Sequence, residues 1–349
     1  MSVLDTPGLL PAFIAENRPR AHGAGLDLYE YARVTAPLTS LHDWPAAFAA
    51  AGRRYRAEAE RAEAEGRTVT AGTSYRTAAR WFHAAGLLPH PDRAAAARLA
   101  ADADEAMRRA LALLEPTAER VAGEGFAGWL RRPARAGEAG APVVVVVPGM
   151  DSAKEEFHAL AEALLARGLA VLAIDGPGQG VLAATSAPEP DYHHVVGRAL
   201  DALAGRDGLD PARTAVVGLS LGGYYAAKAA AHEPRLRAAV TVSGPYRLDW
   251  DGLVPFVTET LTQRCGSPEA ARAFAARIDL TALAPTITLP LLVVEGGEDR
   301  IPGVTAATAL ASRAPNAELL LVPHGNHLLG TALPDWLPTT ADWLATRLG

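Results

Sequence analysis

Thr214-Ala215-Val216-Val217-Gly218-Leu219-Ser220-Leu221-Gly222-Gly223 is a short apolar strand signal that runs into Gly-x-Ser-x-Gly and then into an alanine-rich helical segment. A serine hydroxyl is a poor nucleophile near neutral pH. A reactive one must stand clear of the backbone, beside a base, on a tight strand-to-helix turn. Glycine at 218 and 222 removes side chains that would collide at such a turn, and the amide of Leu221, opening the helix, can donate to a developing oxyanion. The stretch therefore reads as a nucleophile elbow. Gly-x-Ser-x-Gly alone is common, and the strand before it and the helix after it separate this instance from a glycine-rich turn.

The flanking sequence has the rhythm such an elbow requires. Upstream, 126–130 alternates like a strand, 134–142 is a turn-rich loop and 143–147 is an unbroken β-branched run of the buried parallel kind. A helix over 155–166, a strand over 170–174 and a helix over 192–203 follow. Downstream come a strand over 238–242, a mostly helical insert over 246–284, a strand over 291–295, a helix over 305–313, a strand over 318–322 and a final helix ending at Leu348. Strand and helix alternating in this way predict an α/β chain with a doubly wound, mostly parallel sheet.

In that fold an acid and then a base follow the serine, each just beyond a strand's carboxyl end. Gly296-Gly297-Glu298-Asp299 follows one strand and Pro323-His324-Gly325-Asn326-His327 the next. Asp299 is read as the orienting acid and His327 as the base, with Glu298 and His324 as their neighbouring competitors. Pro148-Gly149-Met150-Asp151 lies after the first central strand, so the Met150 amide is the second expected oxyanion donor beside that of Leu221. Asp151 is expected to turn away and cap the helix that follows. Gly176-Pro177-Gly178-Gln179-Gly180 is no dinucleotide fingerprint, because Val181 stands where the third glycine is needed and Pro177 lacks an amide. His193-His194 are expected to point to opposite sides, and neither a metal nor a cofactor is implied.

Composition bounds the rest. At 349 residues, 49% hydrophobic and 21% charged, the chain has the profile of a soluble globular protein of one large or two ordinary domains. A formal net charge of −6, with no concentrated basic segment, speaks against nucleic acid as a partner. No apolar stretch reaches the roughly 18 residues of a membrane span, and 1–20 lacks a signal-peptide pattern, so a cytoplasmic location away from membranes is expected. The single cysteine, Cys265, excludes an internal disulfide; it is placed in a cap loop as an incidental thiol.

Residues 1–125 read differently, as an irregular start followed by helices. Asp43 is expected to cap a helix at Trp44-Pro45, and the charged run over 53–65 to form a solvated helix face. A second helix over 71–85 carries Tyr75, Ala79 and Phe82 on one face, and Gly86 is placed to end it. A third carries Leu99, Ala103, Met107, Leu111 and Leu114. The division expected is a helical domain over 1–125 and a catalytic domain over 126–349 with a cap insert at about 246–284. Tyr75, Trp81 and Trp250 are candidates to contact substrate.

The runs Gly149-Met150-Asp151-Ser152-Ala153-Lys154-Glu155-Glu156, Asp175 to Gly180, Asp210-Pro211-Ala212-Arg213 and Gly218 to Tyr224 resemble α/β-hydrolases related to 2,6-dihydroxypseudooxynicotine hydrolase. That group also holds polyketide chain-shortening hydrolases and fermentation-respiration switch-like proteins. The front half is similar too, through Gly66-Arg67 and Tyr75-Arg76-Thr77-Ala78-Ala79-Arg80-Trp81-Phe82. Val181 and Met150 depart from the group's pattern, where Glu and Leu are frequent. The resemblance implies an α/β-hydrolase fold with an N-terminal helical domain covering the active site. It also implies a triad of Ser220, Asp299 and His327 that cleaves a carbon–carbon bond next to a carbonyl. The same residues would serve an esterase, thioesterase or lactonase, or a polyketide release or cyclisation enzyme, and a binding protein on this fold is a further alternative. The partner implied is a small-molecule acyl or ketone substrate. A homodimer is compatible with the sequence and not fixed by it.

Overall fold

The structure is a computed structural model that describes residues 2–90, 92–134 and 140–349. Its strands are β1 (Glu119–Gly123), β2 (Phe126–Arg131), β3 (Ala141–Val147), β4 (Ala170–Asp175), β5 (Leu209–Leu219), β6 (Leu236–Val242), β7 (Pro245–Leu248), β8 (Leu291–Gly296), β9 (Val304–Ala306) and β10 (Ala317–Val322). Eight of them form one sheet in the order β1-β2-β4-β3-β5-β6-β8-β10, while β7 and β9 pair separately. The β1-β2 and β2-β4 pairs are antiparallel, and the remaining pairs of the large sheet are parallel.

The valine run shows why helices must cover both faces. Successive side chains of a strand point to opposite sides. Val143, Val145 and Val147 of β3 join one apolar cluster and Val144 and Val146 another. The same alternation separates Val216 from Val217 in β5 and Val293 from Val294 in β8. On the first face pack α7 (His193–Asp201), α8 (Leu221–His232) and α11 (Thr308–Ala311), and on the second α6 (His158–Leu165) and α12 (Leu333–Leu348).

Five helices precede the sheet: α1 (Leu9–Gly23), α2 (Leu28–Thr35), α3 (Trp44–Ala64), α4 (Thr68–Ala85) and α5 (Arg93–Leu114). Met107 and Leu111 of α5 pack on Ala79 and Phe82 of α4, as their helical spacing predicts. Gly86 ends α4. The charged run on α3 is more than a solvated face, since Arg56 reaches Asp102 at 2.9 Å and Glu63 pairs with Arg109, both on α5. The insert after β7 carries α9 (Pro255–Cys265) and α10 (Pro268–Ala276).

Several expectations are corrected. The first 43 residues are not irregular, because they hold α1 and α2. Pro11 lies in the first turn of α1, where no amide is needed, and Pro19 sits inside the helix, where packing against the Gly330 backbone compensates for a lost hydrogen bond. Asp43 does not cap α3; its carboxylate instead accepts from Thr39 and Ser40. Strand β1 pairs with β2 across residue 125, so the sheet begins before the expected boundary. The 305–313 stretch divides into β9 and α11. Cys265 is the half-buried last residue of α9 and not in a loop, and burial pushes its thiol up to about 11. The helix expected from 155 starts at His158, because Glu155 and Glu156 turn inward to cations. Of the turn-rich loop over 134–142, residues 135–139 lie outside the described residues, and Ala141 and Pro142 already belong to β3.

At the β5-α8 turn an alanine Cβ at 218 would overlap the Gly222 carbonyl. Gly218→Ala is therefore expected to lower the free energy of unfolding by roughly 1–3 kcal/mol in urea titration; an unchanged midpoint would show that the turn relaxes freely.

Candidate active site

Ser220 stands between β5 and α8 with φ 55° and ψ −129°, a left-handed conformation that side chains seldom adopt. Its amide donates to Val242 O of β6 at 2.8 Å, and its carbonyl accepts from Gly223 N at 2.7 Å. The turn is possible because backbone crowds it from all sides. A Cβ on Gly222 would overlap Val147 O, and one on Gly149 would sit 3.0 Å from Ser220 Cβ.

The loops after β8 and β10 bring Asp299 and His327 to this turn. Gly297 N donates to Val322 O at 2.8 Å and Glu298 N to Gly325 O at 3.0 Å, so the two loops are bound to each other. His327 Nε2 lies 3.0 Å from Ser220 Oγ, and its Nδ1 lies 2.9 Å from Asp299 Oδ2. An ionised carboxylate only accepts. Nδ1–H therefore donates to Asp299, which leaves Nε2 to accept from the serine hydroxyl. Beyond His327 the chain takes left-handed turns at Leu328 and Leu329, and Leu328 N donates to Ser243 Oγ at 3.0 Å. Glu298 is exposed, and His324 pairs at the surface with Asp335 at 3.2 Å, so neither competitor joins the constellation.

The two amides expected to face an oxyanion, those of Leu221 and Met150, have no acceptor among the described residues. The Met150 loop is held by Gln179. Its Nε2 donates to Pro148 O at 2.7 Å and Gly149 O at 3.1 Å, while its Oε1 accepts from Gly176 N and the Tyr192 hydroxyl. Asp151 does not cap a helix, because Arg20 of α1 takes it in two hydrogen bonds of 2.8 and 3.2 Å. The same guanidinium bonds Glu156 and Ser152, and Glu156 also meets His83 Nε2 at 2.9 Å.

The FrsA-like esterase family matches residues 42–248, more than half of the chain. The chain belongs to the FrsA-like esterase family. Residues 189–349 also match the prolyl oligopeptidase family. This FrsA-like protein is 31% identical over 300 residues to the 2,6-dihydropseudooxynicotine hydrolase of Paenarthrobacter nicotinovorans, covering 81% of this chain and 80% of that one. The crystal structure of a 2,6-dihydroxy-pseudo-oxynicotine hydrolase superposes with a TM-score of 0.83 at 28% identity, over 95% of each chain. Hydrolase LUC6 of a Fusarium species is 34% identical over 206 residues, 54% of this chain and 49% of that protein. AbyA5, at 19% identity and a TM-score of 0.69 over 98% of this chain and 99% of that one, shares the fold. The FrsA-like protein is thus an α/β-hydrolase-fold enzyme of hydrolase families, and no helix among its described residues is long and apolar enough to cross a membrane.

The proposed substrate contacts of this FrsA-like protein are corrected. Tyr75 is fully buried among α3, α4 and α5, with its hydroxyl 3.0 Å from Glu63 and its ring under Arg109. Trp81 is core, packed against Phe48. Trp250 packs on the core of the cap side beneath Arg272. Aromatic side chains on buried helix faces serve packing first. His193 and His194 do not diverge either. Their rings lie 4.0 Å apart with His232 4.5 Å from His193, since adjacent residues on a helix differ by about 100° and not 180°.

Burial would raise the Glu156 carboxyl, yet the charge and hydrogen bonds of Arg20, with His83, hold it well below the usual carboxylate range. Lys154, which burial would lower, is held well above its ordinary value by Asp175, Glu155 and Asp104. Glu295, at the end of β8, behaves in the opposite way to Glu156. Burial, with the charge of Asp299 added, pushes its carboxyl up to about 8, and one of its oxygens has no partner among the described residues. Its unfolded value is about 4.3. A raised folded value means that the folded state holds the proton more tightly, so this contribution is present below about pH 4 and is lost as pH rises through about 8. Glu295→Gln is therefore expected to gain stability relative to the parent between pH 5 and pH 8, measured by urea unfolding at both values. An identical difference at the two pH values would contradict the assignment.

Proposed function

We propose that this protein is a serine hydrolase that cleaves the carbon–carbon bond next to a carbonyl in a ketone or β-diketone, through an acyl-enzyme. The observation that carries the reading is the hydrogen-bonded chain from Asp299 through His327 to Ser220, on a strained turn beside two unpaired amides. In this mechanism Ser220 Oγ attacks the carbonyl carbon while His327 Nε2 takes its proton, and Asp299 stabilises the imidazolium. The negative oxygen accepts from the Leu221 and Met150 amides. Collapse breaks the carbon–carbon bond, and the departing carbanion, an enolate when the substrate is a β-diketone, takes the proton from His327. Water, deprotonated by the same imidazole, then releases the acid and restores Ser220 Oγ–H.

A carbon leaving group is supported by the resemblance of the sequence motifs and by the likeness to the pseudooxynicotine hydrolase over most of both chains. The second reading, an esterase or thioesterase, is favoured by the family description and uses the same residues. The substrate in either case is a small molecule that enters between the front helices and the sheet.

Incubation with aryl β-diketones and matched aryl esters, with products read by mass spectrometry, separates the two readings. Ser220→Ala is expected to lose at least about 10⁴-fold in kcat on whichever substrate is turned over. Gln179→Ala leaves the nucleophile and base in place and loosens the Met150 loop; it is expected to lower kcat roughly 10- to 100-fold with KM little changed. Diketone cleavage surviving in Ser220→Ala would refute the mechanism, and turnover of esters alone would select the second reading.

A further inference from the structure

A solvent-open cleft lies beside the Met150 loop, between α4 and α5 on one side and the end of α9 on the other. His83, His90, Arg93, Asp151, Gln263 and Arg264 are among its lining residues. Asp151 is two residues beyond Gly149, whose backbone touches Ser220. Two residues span at most about 7 Å, so the Asp151 wall of the cleft lies a short way along the chain from the loop beside Ser220, while Ser220 and His327 are not themselves among the lining residues.

Arg264 is the unusual group in the cleft. It projects from the last turn of α9, its Nε is buried with no partner, and its one hydrogen bond is a long one of 3.4 Å from Nη1 to Gly178 O. It has no ion pair among the described residues. The acids nearest to it are already committed. Asp151 is bonded twice by Arg20, while Asp175 and Glu155 hold Lys154 Nζ at 2.7 and 2.8 Å. Surrounding protein opposes the charge on Arg264, and the fields of Asp151 and Asp175 only partly offset that. A partly desolvated guanidinium without a carboxylate is costly and gains on meeting an anionic acceptor. Arg93, also without an ion pair among the described residues, adds positive charge from the facing α5 wall, and Gln263 lies next to Arg264.

We propose that Arg264 recognises an anionic oxygen, a carboxylate or an ionised enol or phenol, on the substrate and thereby sets specificity. This rests on the proposed function, because it assumes that the cleft receives the part of the substrate that extends from Ser220. Arg264 presents planar paired donors to that oxygen, which a neutral acceptor would satisfy much less well. The acyl carbonyl stays with the Leu221 and Met150 amides, so Arg264 is a binding residue and takes no proton.

The test is isothermal titration of the intact protein with two ligands of similar shape, butyrophenone and 3-benzoylpropionate, which adds a carboxylate. An ionised 1,3-diketone serves as a third ligand. The parent is expected to bind the carboxylate at least about 10-fold more tightly than the neutral ketone. Arg264→Gln should lose that preference, with butyrophenone binding changed less than about 3-fold, and Arg264→Lys should restore part of it. Binding of the ionised diketone but not of the carboxylate, lost in Arg264→Gln, would assign the site to enolates and also support the proposal. Equal loss for charged and neutral ligands in Arg264→Gln would mean a structural role and overturn it, as would an unchanged preference or no anion preference in the parent. Fluorophosphonate labelling of Ser220 is run alongside. Labelling at the parental rate in Arg264→Gln with the anion preference gone supports both readings. Absence of labelling in the parent would sink the serine mechanism while the titration still decides the role of Arg264.

Discussion

Everything at the site depends on one backbone constraint, the left-handed turn at Ser220. A residue with φ 55° and ψ −129° is costly, on the order of 1–3 kcal/mol, and persists only where the surroundings over-determine it. Here the surroundings are other backbones. Gly218 and Gly222 let the turn close on itself, Gly222 lies against the end of β3, and Gly149 lies against the serine side chain. The Ser220 amide is anchored on β6. Three parallel strands therefore fix one hydroxyl, and the loops after β3, β8 and β10 bring Met150, Asp299 and His327 toward it.

The loops are delivered by polar groups with little freedom of their own. Gln179 uses both ends of its amide and joins the loop after β4 to the loop after β3. Ser243, itself in a left-handed conformation, holds the chain just past His327. Arg20 ties α1 to the Met150 loop through Asp151, Ser152 and Glu156. A buried ion network of this kind contributes little net stability, and its value is in fixing geometry, since removal of one partner leaves the others unpaired. The front helices are thus part of the site's construction. Arg264, half-buried at the cleft, has no such carboxylate partner among the described residues.

The sheet, the turn at Ser220 and the placement of Asp299 and His327 beside it were legible in the sequence because each rests on local chemistry. Apolar runs mark strands buried on both faces, glycines mark close backbone approach, and loops after strand ends carry the polar residues. Asp299 and His327 were legible on the same ground. Gln179 and Glu156 stood inside motifs that carried the resemblance, but their partners lie in other loops, so their roles were not. Arg20 gave no local signal at all, since its partners are 131 and 136 residues away. The first helix was missed because Pro11 and Pro19 lie within it and read as breakers, although docking decides otherwise. Tyr75 and Trp81 show the converse error: an aromatic residue in a similar motif was read as a contact when its helix face simply had to be buried.

The central claim is that Ser220 carries the acyl group between bond cleavage and hydrolysis. Acid-quenching the wild-type protein during turnover of an aryl β-diketone, then measuring intact and peptide masses, tests it most directly. The account predicts a single acyl adduct per chain on the peptide that contains Ser220, formed before product accumulates and lost as substrate is exhausted. Steady cleavage with an adduct on another residue would contradict it.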